Sequence, residues 1–239
     1  MITTRGIVLN TVRYSDSSVI ARVYTEEVGL RSFMVRVGKG RKALTGMALL
    51  QPLTPVVLSF INDARRNLYD PRSLEREVLL NSIPFDTVKT CIALFMAEVV
   101  GRSIAEEEAN GEKFRFIHGA VLMLDAETRP VNNFHLKFMV EFSRHLGFHP
   151  HHRTPDQRYF DLAEGEFTVT EPAHPHMLDP EAADRLETLM DIPLNRHHEL
   201  RLDTAGRRYL LRKLVDYYRL HLDGMKEITS HLVLEEVLG

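Results

Sequence analysis

The stretch Gly6–Val37, GIVLNTVRYSDSSVIARVYTEEVGLRSFMVRV, decides the fold. It divides into three short runs rich in Val, Ile, Phe and Tyr: Gly6–Tyr14, Ser18–Thr25 and Leu30–Val37. Runs of this composition, parted by Tyr14-Ser15-Asp16 and Glu27-Val28-Gly29, read as strands joined by tight turns. Side chains alternate along a strand, so Val19, Ala21 and Val23 share one face and Ile20, Arg22 and Tyr24 the other. In the third run Phe33, Val35 and Val37 alternate with Met34 and Arg36. Pro55–Ile61 reads as a fourth strand. Arg66–Leu74 reads as a fifth, weakened by Pro71, which brings no N–H to a ladder. Five short strands within about 75 residues predict a small barrel or sandwich, and an OB-fold barrel is one such solution.

From about residue 84 the period changes. Phe85–Glu107 carries Val88, Ile92, Phe95, Met96, Val99 and Val100 at helical spacing. Lys113–Asp125 and Asn132–Leu146 follow in the same way, with Gly147 as a stop and Pro150 beyond it. Residues 148–178 break the pattern with four prolines and five histidines, and a small hairpin from Tyr159–Leu162 and Glu166–Thr170 fits there. Helices resume at Pro180–Met190 and at Thr204–Leu222, the latter capped by Asp203 or Thr204. Ser230–Leu238 forms a last short helix. The expectation is an α+β chain: an N-terminal OB-fold β-barrel domain over 1–80, then an α-helical domain over 81–239 with an irregular insert at about 148–178.

The 239 residues, 44% hydrophobic and 26% charged, suit one or two globular domains and exclude disorder, collagen and coiled coil along the whole chain. A single Cys91 excludes an intramolecular disulfide and any zinc site built from several thiolates. Its place in an apolar helical stripe reads as a small buried hydrophobe. Charged residues punctuate the first 30 positions, so there is no signal-peptide core, and Met47–Ile61 is too short and too interrupted to span a bilayer. The expectation is a cytoplasmic protein with no membrane partner. No G-x-S-x-G, H-E-x-x-H or Walker A pattern occurs. The chain is therefore expected to be no enzyme and to need no cofactor.

The net charge of −3 hides an asymmetry. Residues 1–60 hold eight Lys or Arg against three acids, a balance of +5 that leaves −8 on the remainder. A basic head suits a polyanion. Phosphates call for cations, and bases stack on aromatic faces. The candidate nucleic-acid contacts are Arg36, Lys39, Arg41 and Lys42, supported by Arg22, Arg31, Arg13 and Arg5, with Tyr24 as a stacking ring. The histidines His149, His151, His152, His174 and His176 invite a metal reading. Their spacing matches no known finger, and no metal site is assigned. His197-His198 has less context still.

Several motifs, taken in order, carry a resemblance. They are Thr4-Arg5-Gly6-Ile7-Val8-Leu9, Tyr14-Ser15-Asp16, Val23–Gly29, Val37–Lys42 with Gly46, and Leu50-Gln51-Pro52-Leu53. Later come His145–Pro150, Leu222–Lys226, Ser230 and Leu234–Leu238. The ordered set resembles the bacterial RecO recombination mediators. That resemblance implies an OB barrel followed by helices. It also implies binding of single- and double-stranded DNA, annealing of complementary strands, and work with RecR. Further implied partners are the acidic C-terminal tail of single-stranded DNA-binding protein (SSB) and, indirectly, RecA, which such mediators help load. An apolar pocket with cations at its rim would suit the tail, and Lys137 and Arg144 are the candidates for that rim. Many members of the family carry a four-cysteine zinc module after the L-G-F-x-P segment. Here Pro150–Leu178 holds no cysteine, while the core Tyr159-Phe160-Asp161-Leu162 with Gly165 remains. The segment is therefore expected to pack without zinc. Two rival readings are an OB-fold protein that binds RNA, recognised by a demand for the 2′-OH, and a scaffold that recruits an acidic partner.

Overall fold

The computed structural model describes residues 1–37, 46–63, 65–104 and 108–238. The chain forms two compact units, Met1–Asp86 with Met96–Asp125, and Thr87–Phe95 with Ala126–Gly239.

In the first unit, β1 (Ile2–Arg13), β2 (Ser18–Thr25), β3 (Gly29–Arg36), β4 (Pro55–Phe60) and β5 (Ser73–Arg76) form one antiparallel sheet in the order β3-β2-β1-β4-β5. The sheet closes on itself. Tyr69, in the chain leading to β5, bridges parallel to Phe33, with its N–H on Ser32 O at 3.0 Å and its carbonyl accepting from Met34 N at 2.8 Å. A meander of three strands, a fourth beside the first and a parallel return against the third make the five-stranded OB barrel. Its interior holds Val8, Ala21, Val23, Phe33, Val56 and Phe60. Phe33 and Phe60 meet edge to face at 4.9 Å, and Tyr69 lies 5.2 Å from Phe60. Gly6 sits where strands crowd: a Cβ there would come within 2.6 Å of Val23 Cγ1. The fifth strand is shorter and later than the expected Arg66–Leu74. Pro71 splits that stretch into the Tyr69 bridge and the Ser73–Arg76 ladder.

Two helices follow, α1 (Thr87–Ser103) and α2 (Gly111–Ala126). Met96–Asp125 belongs to the barrel's unit, so the compact division differs from the expected boundary at 80/81. The reason is local. Phe114 of α2 covers Tyr24 at a ring distance of 6.1 Å, and the Asp125 carboxylate accepts from the N–H groups of Asn81, Ser82 and Ile83 at 2.8–2.9 Å.

The second unit is built around α3 (Phe134–Leu146), whose residues are buried on almost every side. Gly147 ends it in the left-handed region at φ 90°, and Phe148 N–H returns to Ser143 O at 3.1 Å. A three-stranded sheet, order β7-β6-β8, occupies the irregular segment: β6 (Tyr159–Asp161), β7 (Glu166–Thr168) and β8 (Met177–Leu178). Then come α4 (Pro180–Asp191), a 3-10 turn (Leu194–Glu199), α5 (Thr204–His221) and α6 (Ser230–Val237). Asp179 caps α4 through Ala182 N–H at 2.9 Å, and Asp203 caps α5 through Gly206 N–H at 2.8 Å. Among the described residues no helix is long and apolar enough to cross a membrane.

Candidate nucleic-acid interface

The outward face of β2 and β3 is set by register. Arg22 opposes Ser32, Ile20 opposes Met34, and Ser18 opposes Arg36. The inner partners Val19, Ala21, Val23, Phe33 and Val35 fill the barrel, which forces Arg22 and Arg36 outward. Arg36 stands exposed at the end of β3. Arg31, at the opposite end, and Arg66, from the connection after β4, join Arg22 around a depression of about 120 Å³ floored by Leu30 and Tyr69. Arg65 and Arg66 share one acid. Asp63 takes Arg65 at 3.0 Å and Arg66 at 3.9 Å, which leaves the Arg66 side chain 61% exposed. The β2–β3 face and the loop between the fourth and fifth strands are the surfaces on which OB barrels take oligonucleotides. Sequence reading missed Arg65 and Arg66. Their signal is a doubled arginine in the loop after a strand, just beyond the basic stretch 1–60.

Other candidates fall elsewhere. Arg13, exposed at the β1–β2 hairpin, lies 3.3 Å from Asp16, a weak surface pair. Arg5 is committed internally. It grips Glu26 through two bonds of 2.8 and 2.9 Å, reaches Glu77 at 3.5 Å and lies over the Phe114 ring at 5.3 Å. The Glu26 hydrogen bonds raise the Arg5 guanidinium pKa and lower that of the carboxyl. Arg5 is thus a fastener of the first unit rather than a free phosphate contact. Tyr24 is corrected as well. At 1% exposure beneath Phe114, its ring is closed to a base. Lys39, Arg41 and Lys42 lie outside the described residues.

In the second unit the two rim candidates part. Lys137 is fully buried, its Nζ on Glu141 at 2.5 Å and donating to Met190 O at 3.1 Å. Burial pulls its pKa down. It presents no charge to a peptide, because α3 is enclosed where an amphipathic pattern would leave a wet face. Arg144, 58% exposed near the end of α3, keeps its guanidinium at the surface. It donates to His149 Nε2 at 2.7 Å, while His149 Nδ1–H donates to Val140 O at 3.0 Å. Both His149 nitrogens are therefore used. His152 faces Asp191 at 3.5 Å and His174 faces Asp161 at 3.2 Å, two separate acids, while the His174 and His176 rings lie 6.0 Å apart.

The cysteine-free segment 150–178, expected to pack without zinc, is closed by carbon. Phe160 packs on Phe167 at 4.9 Å and on Tyr217 at 5.7 Å, with Leu162 and Leu178 buried beside them. Asp161 accepts from Ala163 and Glu164 N–H at 2.8 and 3.1 Å to shape the turn. The residues present do not fit a thiolate zinc site: the single cysteine, Cys91, lies in α1, where burial raises its thiol pKa. One cluster escaped sequence reading. Glu127, held at about 2 mainly by the Arg129 guanidinium, lies beside His197 and His198.

An OB barrel with arginines on its β2–β3 face, continued by a helical unit, defines the class: an OB-fold protein with an appended helical domain. Residues 1–75 match the family description "Recombination protein O N terminal", and residues 84–228 match "Recombination protein O C terminal". The chain is 35% identical to the DNA repair protein RecO of Phocaeicola vulgatus, over 99% of this chain and 98% of the relative. It is 35% identical to that of Bacteroides fragilis over 98% of each, and 31% identical to that of Flavobacterium johnsoniae over 100% and 99%. The chain belongs to the RecO family of DNA repair and recombination proteins.

Proposed function

We propose that the barrel, as an OB domain of about residues 1–80, binds single- and double-stranded DNA chiefly through phosphates. In this reading it anneals complementary strands and, with RecR, helps load RecA onto SSB-coated DNA in the cytoplasm, making and breaking no bond itself. The observation that carries the reading is the arginine-lined depression of Arg22, Arg31 and Arg66, with Arg36 on the same barrel, in a chain of this family. Such a surface holds phosphates with little sequence preference and with affinity that falls as salt rises. Two strands neutralised on one surface repel each other less, which is the physical ground for annealing. Lys39, Arg41 and Lys42 are assigned to the same role. In the second unit, Arg144 is the cation proposed for the free carboxylate of the SSB tail; Lys137, fully buried, is not. The test is annealing of two complementary strands coated with SSB, at low and high salt, against SSB lacking its tail. Acceleration that needs the tail and fades with salt is expected. No acceleration with either SSB refutes the reading, and preference for RNA would move it to the RNA-binding alternative.

A further inference from the structure

The second unit contains a cluster that the DNA reading does not use. Glu127 follows the end of α2, and His197 and His198 are adjacent on the 3-10 turn. One ligand atom from each of the three lies within 4.8 Å of the others. His197 is fully buried, and among the described residues neither of its ring nitrogens has a hydrogen-bond partner. Nε2 faces Glu127 Oε2 at 3.5 Å, too long for a good hydrogen bond. His198 Nδ1 is likewise buried without a partner. Buried ring nitrogens are ordinarily satisfied, so three orphans beside one ionised carboxylate ask for an explanation.

Arg129 supplies part of it. Its guanidinium grips Glu127 through two 2.8 Å bonds and reaches His198 Nε2 at 3.2 Å. A cation already bridges the carboxylate and one imidazole. Arg129 is half exposed and can swing to solvent. Lys89, buried nearby, donates to the Glu127 main-chain oxygen rather than to the carboxylate.

We propose that Glu127, His197 and His198 form a site for one zinc-class divalent cation, for which the Arg129 guanidinium is the resident competitor. Two imidazoles and one carboxylate make a three-ligand set that leaves a fourth position to water. Imidazole favours zinc, cobalt or nickel over magnesium or calcium. Ligand atoms on a tetrahedral zinc sit roughly 3.3 Å apart, so binding draws the three inward by side-chain rotation. The metal ties the 3-10 turn to the chain that follows α2.

The test uses the purified full-length protein, stripped with a chelator and titrated with Zn²⁺ against a chromophoric competitor. One Zn²⁺ per chain at about micromolar affinity or tighter is expected. His198→Ala and Glu127→Gln should each weaken it at least about tenfold, and Arg129→Ala should tighten it by about tenfold. Circular dichroism checks that each variant is folded, and Co²⁺ binding gives visible bands of tetrahedral intensity as a second reading. No zinc bound at about 100 µM overturns the proposal. So does binding that survives both His198→Ala and Glu127→Gln, which would put the metal on other histidines. An affinity unchanged in Arg129→Ala overturns the competition on which it rests.

Discussion

Replacing Arg22 and Arg66 together by alanine tests the interface directly. Both line the same depression, and neither is a fastener of the barrel in the way Arg5 is. Each cation that neutralises one phosphate of a single strand contributes about 0.7 to the slope of log affinity against log salt. Losing two should flatten that slope by about 1.4, which at about 0.1 M salt is roughly 25-fold in affinity, near 2 kcal/mol. Arg5→Ala is the control. It breaks the two bonds to Glu26 and the contact over Phe114, so it should lower stability by about 1–2 kcal/mol. It should leave the salt slope alone. Fluorescence anisotropy of a labelled oligonucleotide at four salt concentrations gives the slopes, and urea unfolding gives the stability. A double variant with the parent slope would refute the reasoning. So would an Arg5→Ala chain whose slope falls as far as that of the double variant.

Glu127 makes acid stability a measurable quantity. Its carboxyl, at about 2 against an ordinary 4.5, favours the folded state above pH 4.5, and that share is lost as pH falls toward 2. The contribution is of order 2–3 kcal/mol, and Glu127→Gln should flatten the stability profile between about pH 4.5 and 2.5 in denaturant titrations. Phe160→Ala removes the ring that holds the β6–β7 hairpin against Tyr217 and should cost about 3–5 kcal/mol by urea unfolding. For an SSB tail peptide, Arg144→Ala should weaken binding several-fold. Lys137→Met should leave it unchanged, because that ammonium is sealed between Glu141 and Met190. Peptide titrations by anisotropy separate the two.

The barrel was legible because its information is local. Val19, Ala21 and Val23 against Ile20, Arg22 and Tyr24 state the period of a strand, and the inner set is the one buried. The same pattern misleads at Tyr24. Alternation puts it outward, and only the fold brings Phe114 from about ninety residues later to cover it. Lys137 fails for the same reason. A lysine on an apolar helix reads as a wet face, yet α3 is enclosed, and its ammonium is satisfied by Glu141 one turn on and by a carbonyl of α4. Arg5 looked like any other basic residue until Glu26 and Glu77 were placed around it. Charge content is visible in sequence, but pairing is tertiary. The Glu127 cluster joins residues seventy positions apart, a proximity that no local pattern encodes.

The cysteine-free segment between α3 and α4 is held without any thiolate ligand. Four thiolates on zinc fix a loop by a few strong, directed bonds. Here the directed bonds are hydrogen bonds and the rest is burial. Asp161 gathers two N–H groups at the turn, His221 and Leu162 O meet at 2.9 Å, and the Tyr217 hydroxyl donates to Phe148 O. Around them Phe160, Phe167, Tyr217 and Phe148 form a continuous run of ring contacts, with Phe148 also 5.0 Å from Tyr218. Burying a phenylalanine side chain contributes about 1.5–3 kcal/mol, so two such rings supply stabilisation on the scale of a structural cross-link. The trade is in kind rather than amount. Burial gives no coordination geometry, so the hairpin depends on α5 to supply Tyr217 and His221 as its wall. A metal-held module would carry its own ion at its centre, whereas this one takes its wall from the last long helix.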